Sequence, residues 1–458
     1  MPVKASDIQK KLPKGGKLHC KKCGFPTCLA FAMKLVAGGT HPDKCPELEP
    51  DVKEWIIDAI TPPIRRVTVG TGENALVMGE EEVMFRHEKT FLHAPGLAVL
   101  VSDKDDEQAA EAKLNKLKEL QFEWVAINLK ADMVAVKFEG IDKDRYLSLV
   151  SRAAREELPM VLMSEDLDVL FAACDLVADK KPLLYPITKE NIEAALPVIK
   201  EKNVPVGVRG RNLEEITVLT ARLKAAGVTD LVIDPSPENL QDAVRDYTLI
   251  RRSALIHNYR PLGYPIISLL ALQAEDAMEE VLMASTLVTK YASIIVLSDL
   301  HKDTLFTLLV HRLNIYTDPR VPLAVEEKIY EFGTQSNDTP IFVTTNFALT
   351  YFAVASAVEA TKRSALVIPI ASDGLCVLAA WSTGKFLGDT IGAYIKKSGL
   401  DDKLSKKRLI IPGMTARLLG EIEDELPEWK VIVGPTYAED IPAFMAKMQS
   451  KWEEEETK

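Results

Sequence analysis

The chain has 458 residues, 47% apolar and 27% charged, an ordinary globular composition with material for about three domains. Lys and Arg total 56 against 67 Asp and Glu, and a net charge of −11 excludes the basic footprint of a nucleic-acid binder. Its apolar runs, such as Ile266–Leu272 and Ala365–Ala371, fall well short of the roughly 20 residues that cross a bilayer.

The start, Met1 to Lys17, is polar and Lys-rich without an apolar export core, so a cytoplasmic protein without membrane contact is expected. Residues 1–60 are set apart by cysteine. Of six cysteines, Cys20, Cys23, Cys28 and Cys45 fall within the first 45 residues, spaced Cys-x2-Cys-x4-Cys-x16-Cys-Pro. In a reducing compartment such a run reads as a metal site before it reads as disulfides. Four soft thiolates suit zinc or an iron–sulfur cluster. A zinc ribbon brings two matched Cys-x2-Cys knuckles. The uneven spacing and the Cys-Pro end here suit the wider corners of a cubane, and Gly24 and Pro26 let the chain wrap closely. The other two, Cys174 and Cys376, sit in apolar segments and are expected to be buried.

The first 50 residues also hold nine Lys and no Arg against four acids, a net +5, which leaves −16 for the rest of the chain. Lys10, Lys11, Lys14, Lys17, Lys21 and Lys22 crowd the first cysteines. They either present a docking surface to an acidic electron donor or offset the charge of four thiolates. A helical stretch from Asp51 to Ile60 stops at Thr61-Pro62-Pro63, a junction that predicts few contacts between the cysteine segment and the barrel. Residues 61–95 then read as a linker with short strands, Arg65–Val69 and Ala75–Met78, and a hairpin turn at Gly79-Glu80-Glu81.

Residues 96–318 alternate apolar strands with amphipathic helices. The predicted strands are Leu97–Val101, Trp124–Asn128, Met160–Met163, Leu183–Tyr185, Val206–Val208, Leu231–Ile233, Pro265–Ser268 and Ile294–Leu297. Continuously apolar strands between helices mean a parallel sheet, and eight units over this length predict a (β/α)8 TIM-type barrel. Strand ends carry Asp103, Asn128, Ser164-Glu165-Asp166, Arg209, Asp234 and Asp299. Short polar residues there also cap helices, and no carboxylate pair or nucleophile–base spacing assigns the barrel a reaction, so no catalytic residue is named.

Residues 319–448 repeat the alternation with strands Ile341–Thr345, Ala365–Ile368, Arg408–Ile411 and Val431–Val433, too few for a barrel. An open, doubly wound α/β domain is predicted, followed by a charged tail over 449–458. In such sheets ligands bind beyond the carboxyl ends of the strands. Those ends carry Thr344, Thr345 and Asn346; Ser372, Asp373, Gly374 and Leu375; Gly413; and Gly434 and Pro435. One such loop is no more than a helix cap, but four on one edge favour a site. Neither GxGxxG nor GxxxxGK[ST] occurs, which disfavours dinucleotides and nucleoside triphosphates. The seven histidines are His19, His41, His87, His93, His257, His301 and His311, so nothing beyond residue 311 offers an imidazole.

Taken together, the Cys-x2-Cys-Gly-x3-Cys-x16-Cys-Pro module, the barrel, and a last domain bearing Thr344-Thr345-Asn346-Phe347 and Ser372-Asp373-Gly374 resemble the large (gamma) subunit of the corrinoid/iron–sulfur protein of the acetyl-CoA decarbonylase/synthase system. The resemblance covers essentially the whole chain. It implies a [4Fe-4S] cluster on Cys20, Cys23, Cys28 and Cys45, and a corrinoid (cobamide) held base-off and His-off by the C-terminal domain. It further implies a heterodimer with a small subunit, and a methyl group taken from methyltetrahydrofolate through a methyltransferase and passed to acetyl-CoA synthase. A reductive activator or ferredoxin-type donor would supply electrons through the cluster. The chain would be a carrier rather than a self-sufficient enzyme. Two other readings stand beside it: a barrel methyltransferase acting on a pterin with an accessory cluster, and an iron–sulfur electron-transfer adaptor.

Overall fold

The computed structural model describes residues 3–124, 127–318 and 320–456. The chain divides into two compact units, Met1–Gln121 with Lys130–Tyr316, and Phe122–Leu129 with Thr317–Lys458. No described helix is long and apolar enough to cross a membrane.

The first unit opens with the cysteine-bearing segment. Its helices Ala5–Lys11, Cys28–Val36 and Pro50–Ile60 close over a small core of Ile8, Leu12, Phe31, Ala32, Leu35 and Ile56. Thr27 starts the second helix, its hydroxyl accepting from the Ala30 N–H at 3.0 Å, and Pro50 starts the third at the position where a missing N–H costs nothing. The Pro62-Pro63 junction is less isolated than its sequence predicts. The Arg260 guanidinium donates to the carbonyls of Thr61 at 2.9 Å and Pro62 at 2.8 Å and to that of Asp58, and Lys224 pairs with the Asp58 carboxylate at 2.8 Å.

Two short strands come next, β1 (Val67–Val69) and β2 (Leu76–Met78), paired antiparallel. The hairpin connection is therefore 70–75, not the expected turn at Gly79, and the segment is no free linker. Val67, Val69 and Met78 belong to the same core as Ala98, Met133, Leu183 and Ile294, so the hairpin plugs the end of the sheet where the strands begin.

That sheet comprises β3 (Gly96–Ser102) and, after a separate hairpin of β4 (Phe122–Trp124) and β5 (Ile127–Leu129), the strands β6 (Met133–Lys137), β7 (Met160–Met163), β8 (Leu183–Ile187), β9 (Val206–Arg209), β10 (Leu231–Asp234), β11 (Ile267–Ser268) and β12 (Ile294–Leu297). All eight are parallel in the order β10-β9-β8-β7-β6-β3-β12-β11, and an Ile233–Ile266 bridge brings the two ends together into a near-closed barrel.

One predicted strand is wrong. Trp124–Asn128 is not in the barrel: Phe122–Trp124 and Ile127–Leu129 form an exposed two-stranded hairpin that goes with the C-terminal unit, and Val125 and Ala126 lie outside the described residues. The second barrel strand is the missed run Met133-Val134-Ala135-Val136, every residue buried. Burial separates them. Glu123 and Trp124 suit a surface ribbon, whereas a strand covered on both faces needs an unbroken apolar run.

The second unit holds β13 (Tyr330–Phe332), β14 (Ile341–Thr345), β15 (Ala365–Ile370), β16 (Arg408–Ile411) and β17 (Lys430–Val433) in the order β13-β15-β14-β16-β17. The four predicted strands are parallel, and β13 adds an unpredicted antiparallel edge. Alternate residues of β14 face separate cores. Ile341 and Val343 pack with Phe386, Ile391 and Ile422 on one side, while Phe342 packs with Tyr351, Val358 and Met445 on the other, so helices cover both faces. The charged tail begins as the end of the helix Ile441–Glu456, which carries buried Trp452, its ring 4.2 Å from the Arg408 guanidinium.

Candidate functional site

Two places in the chain gather chemistry. In the first unit, Cys20, Cys23, Cys28 and Cys45 line one small cavity together with His19, Phe25 and Phe31. Local backbone explains the convergence. His19 and Lys21 both take left-handed conformations, φ 46° and 60°, so the chain reverses sharply on either side of Cys20. The His19 ring accepts from the Cys28 N–H at 3.1 Å through Nδ1, which ties the loop to the start of the next helix. Burial, together with the charges of the other three thiols, raises the Cys45 thiol. The four thiols line one small cavity, and Lys21 lines it beside them. Four soft thiolates brought to one cavity fit an iron–sulfur cluster as a donor set.

In the second unit the strand order reverses between β14 and β16, the place where open α/β sheets bind ligands. A cavity of about 410 Å³ lies there, within the range of small-molecule sites. Its floor is the carboxyl ends of β14 and β16, and Gly434, Pro435 and Tyr437 line it after β17. Among the described residues no charged side chain lines it. The polar groups are Thr344, Thr350, Thr436, Tyr437 and the thiol of Cys376. The Thr344 hydroxyl is buried and without a hydrogen-bond partner, although its residue is only 1% exposed. An orphaned hydroxyl on the wall of an apolar cavity fits a ligand group that completes it.

The sequence-predicted loop residues divide sharply. Thr344, Gly434 and Pro435 line the cavity; Thr345, Asn346, Ser372, Asp373, Gly374, Leu375 and Gly413 do not. Asn346 organises the turn after β15. Its Oδ1 accepts from the Ser372 N–H at 2.9 Å, the Ser372 hydroxyl at 2.8 Å and the Gly374 N–H at 3.1 Å. The Leu375 N–H donates to the Ser372 carbonyl, so the N–H groups of Gly374 and Leu375 are both engaged within the turn. Asp373 pairs with Lys385. Gly374 has φ +68°, and a Cβ there would meet the Pro322 carbonyl oxygen at 2.8 Å, so glycine serves the turn rather than a ligand's approach. At Gly413 a Cβ would meet the Gly434 oxygen at 2.8 Å, so this glycine lets two loops pack.

Sequence reading missed the helical wall, in particular Leu349, Ala353 and Val354, and misplaced Cys376, which is exposed and lines the cavity. The one signal for that wall was Leu349, Ala353 and Val354, a single face of the helix Ala348–Ala360 with no charge on it. Cys174 is buried as expected, and burial pushes its thiol up to about 11.

At the carboxyl end of the barrel, the Tyr185 hydroxyl donates to buried Asp234 at 2.6 Å, and Arg209 holds Glu165 with two bonds of 2.6 and 2.8 Å. Burial raises the Asp234 carboxyl, against the hydrogen bonds that it accepts from Tyr185 and Ser236. Asp103 caps the loop after β6 and Asp299 pairs with Lys116, whereas Asn128 is not at a barrel strand end.

The family model described as CO dehydrogenase/acetyl-CoA synthase delta subunit matches residues 66–445, and an Fe-S cluster model matches residues 16–47. The corrinoid/iron-sulfur protein large subunit of Moorella thermoacetica is 42% identical over 97% of this chain and 98% of its own. This chain belongs to the large-subunit family of corrinoid/iron–sulfur proteins. Archaeal members lie further off: the acetyl-CoA decarbonylase/synthase complex subunit gamma of Methanothermobacter thermautotrophicus is 31% identical over 98% of this chain and 100% of its own. That of Methanopyrus kandleri is 32% identical over 97% and 98%. Within the large-subunit family the four-cysteine cavity falls inside the Fe-S match, and the C-terminal cavity falls inside the longer one.

Proposed function

We propose that this large subunit is a methyl-group carrier, with a [4Fe-4S] cluster on Cys20, Cys23, Cys28 and Cys45 and a corrinoid held by the C-terminal unit. One observation carries the reading: a single chain pairs a four-thiol cavity with an uncharged cavity at a sheet switch point, lined in part by Thr344, whose buried hydroxyl has no hydrogen-bond partner. When bound, the corrinoid supplies a cobalt centre at which a methyl group from methyltetrahydrofolate is accepted and then given to acetyl-CoA synthase, while the cluster supplies the electrons that keep the cobalt reduced.

The chain's own residues do the rest. Leu349, Ala353 and Met414 give the cavity an apolar wall that is solvent-exposed in the ligand-free chain, and Thr344 offers one hydroxyl to a neutral acceptor or donor there. No residue beyond His311 provides an imidazole, which favours a His-off cofactor. Offering the metal no imidazole, the segment would favour the reduced form of the cofactor. We assign the small subunit, a methyltetrahydrofolate methyltransferase, acetyl-CoA synthase and a reductive activator or ferredoxin-type donor as partners, in the cytoplasm. The proposed division is a cluster segment over 1–60, a barrel over 96–318 and a corrinoid-binding segment over 319–448.

The visible and electron paramagnetic resonance spectra of the anaerobically purified protein test this. Corrinoid bands over a broad cluster shoulder, with a Co(II) signal free of splitting from an axial nitrogen, are expected. Cluster absorption alone would favour the electron-transfer adaptor, and nitrogen splitting would overturn the base-off assignment.

A further inference from the structure

The helix that begins at Cys28 is more apolar than its burial explains. Eight of its nine residues, Cys28–Val36, are apolar and Lys34 is the exception, yet only Phe31, Ala32 and Leu35 are buried. Leu29, Met33 and Val36 are 40%, 58% and 43% exposed. These three stand at i, i+4 and i+7, so they form one stripe about 10 Å long on the face away from the core. A helix that is apolar all round is normally buried all round, and an exposed apolar stripe marks an interaction face.

The segment that carries the stripe is basic. Lys14, Lys17 and Lys21 lie on the exposed stretch that leads into the cysteine cavity, and Lys34 lies on the helix itself. None of these four has a carboxylate partner among the described residues, whereas Lys22 pairs with Glu47 and Lys10 with Asp7. An exposed apolar stripe on a segment with unpaired lysines is the composition of a contact face for an acidic partner, and the first 50 residues carry +5 in a chain of net −11. Cys20 is exposed, and Cys28 is the first residue of the striped helix, so a protein seated on the stripe sits next to the thiol cavity.

We propose that the Leu29–Met33–Val36 face, together with the unpaired lysines of the same segment, is the docking surface for a small acidic, low-potential iron–sulfur protein of ferredoxin type. This rests on the iron–sulfur reading of the cysteine cavity. One electron leaves the donor's reduced cluster and enters the cluster held by Cys20, Cys23, Cys28 and Cys45, and no bond is made or broken. The charge pattern selects an acidic partner and steers its approach, and the apolar stripe holds it at the thiol cavity.

The test uses the full-length, cluster-loaded protein, a purified acidic two-[4Fe-4S] ferredoxin, and the variants Met33→Glu, Val36→Glu and Lys14→Glu/Lys17→Glu. Binding is measured by biolayer interferometry. Cluster reduction is followed by visible bleaching, with either pre-reduced ferredoxin or dithionite as the reductant. Each variant is expected to weaken ferredoxin binding at least tenfold and to slow ferredoxin-driven bleaching in step, with dithionite-driven bleaching unchanged. Added salt should weaken wild-type binding far more than that of the double lysine variant. Unchanged affinity in all three variants overturns the proposal. So does self-association that Met33→Glu abolishes while ferredoxin affinity stays the same, because a second copy then covers the stripe. If dithionite bleaches nothing in the wild type, the cluster reading falls instead, and the docking surface is judged on the binding isotherms alone.

Discussion

Replacing Thr344 by Val separates the stability of the C-terminal unit from its capacity to hold a ligand. Thr344 and Thr345 are 1% and 0% exposed, and neither hydroxyl has a hydrogen-bond partner. They point to opposite faces of β14, and only Thr344 lines the cavity. Burying an unpaired hydroxyl costs about 1–3 kcal/mol, so an isosteric methyl at either position should stabilise the ligand-free protein by about 1 kcal/mol after packing losses. If the Thr344 hydroxyl serves the corrinoid, Thr344→Val also removes a bond with a net value of about 0.5–1.5 kcal/mol, a roughly two- to twelve-fold loss of affinity. Thr345→Val should show the stability gain without the loss. Urea unfolding followed by tryptophan fluorescence gives the first quantity; Trp381, Trp429 and Trp452 all lie in this unit. Titration of the corrinoid-free protein with a cobamide gives the second. Equal cobamide affinity in the two variants would refute the assignment of Thr344, and destabilisation by both would refute the reasoning about orphaned hydroxyls.

Three further outcomes are expected. Arg260→Ala removes three bonds to the carbonyls of residues 58–62 and should weaken the junction by about 2–4 kcal/mol, seen as roughly 30-fold or faster hydrogen exchange at the Thr61 and Arg65 amides; unchanged exchange would show that the segment is held by other contacts. Burial works to raise the Asp103 carboxyl, but N–H donors from Glu139, Ile141 and Asp142 outweigh it and hold it below the ordinary carboxylate value. Its stabilisation is therefore complete above the unfolded value of about 3.9 and is lost as pH falls through the lower folded one, so Asp103→Asn should destabilise by about 1–3 kcal/mol at neutral pH and flatten the acid limb of the urea midpoint. Cys376 is exposed on the cavity wall, so bound corrinoid should protect it from maleimide, as read by peptide mass spectrometry, while buried Cys174 stays unmodified with or without the cofactor; labelling of Cys376 at equal rates in both forms would place the cofactor elsewhere.

What could be read from the chain alone was whatever is encoded by near neighbours. The short spacing of Cys20, Cys23, Cys28 and Cys45 pointed to one place, and the four line one cavity, while the apolar runs named seven of the barrel strands because each is covered on both faces. Local pattern failed where two runs competed for one place. Trp124–Asn128 and Met133–Lys137 are separated by four residues, and only pairing with β3 and β7 selects the second. The polar strand ends of the C-terminal unit were legible as a group, but not by role. Asn346 is wired to a turn 26 residues away, Gly374 is shaped by Pro322, and Thr344 alone of its tripeptide faces the cavity. Those distinctions depend on strand order and side-chain direction, which are set by long-range pairing. The same holds for the striped helix at Cys28: its apolar composition is written in the sequence, but only the packed core shows which three of its residues remain uncovered.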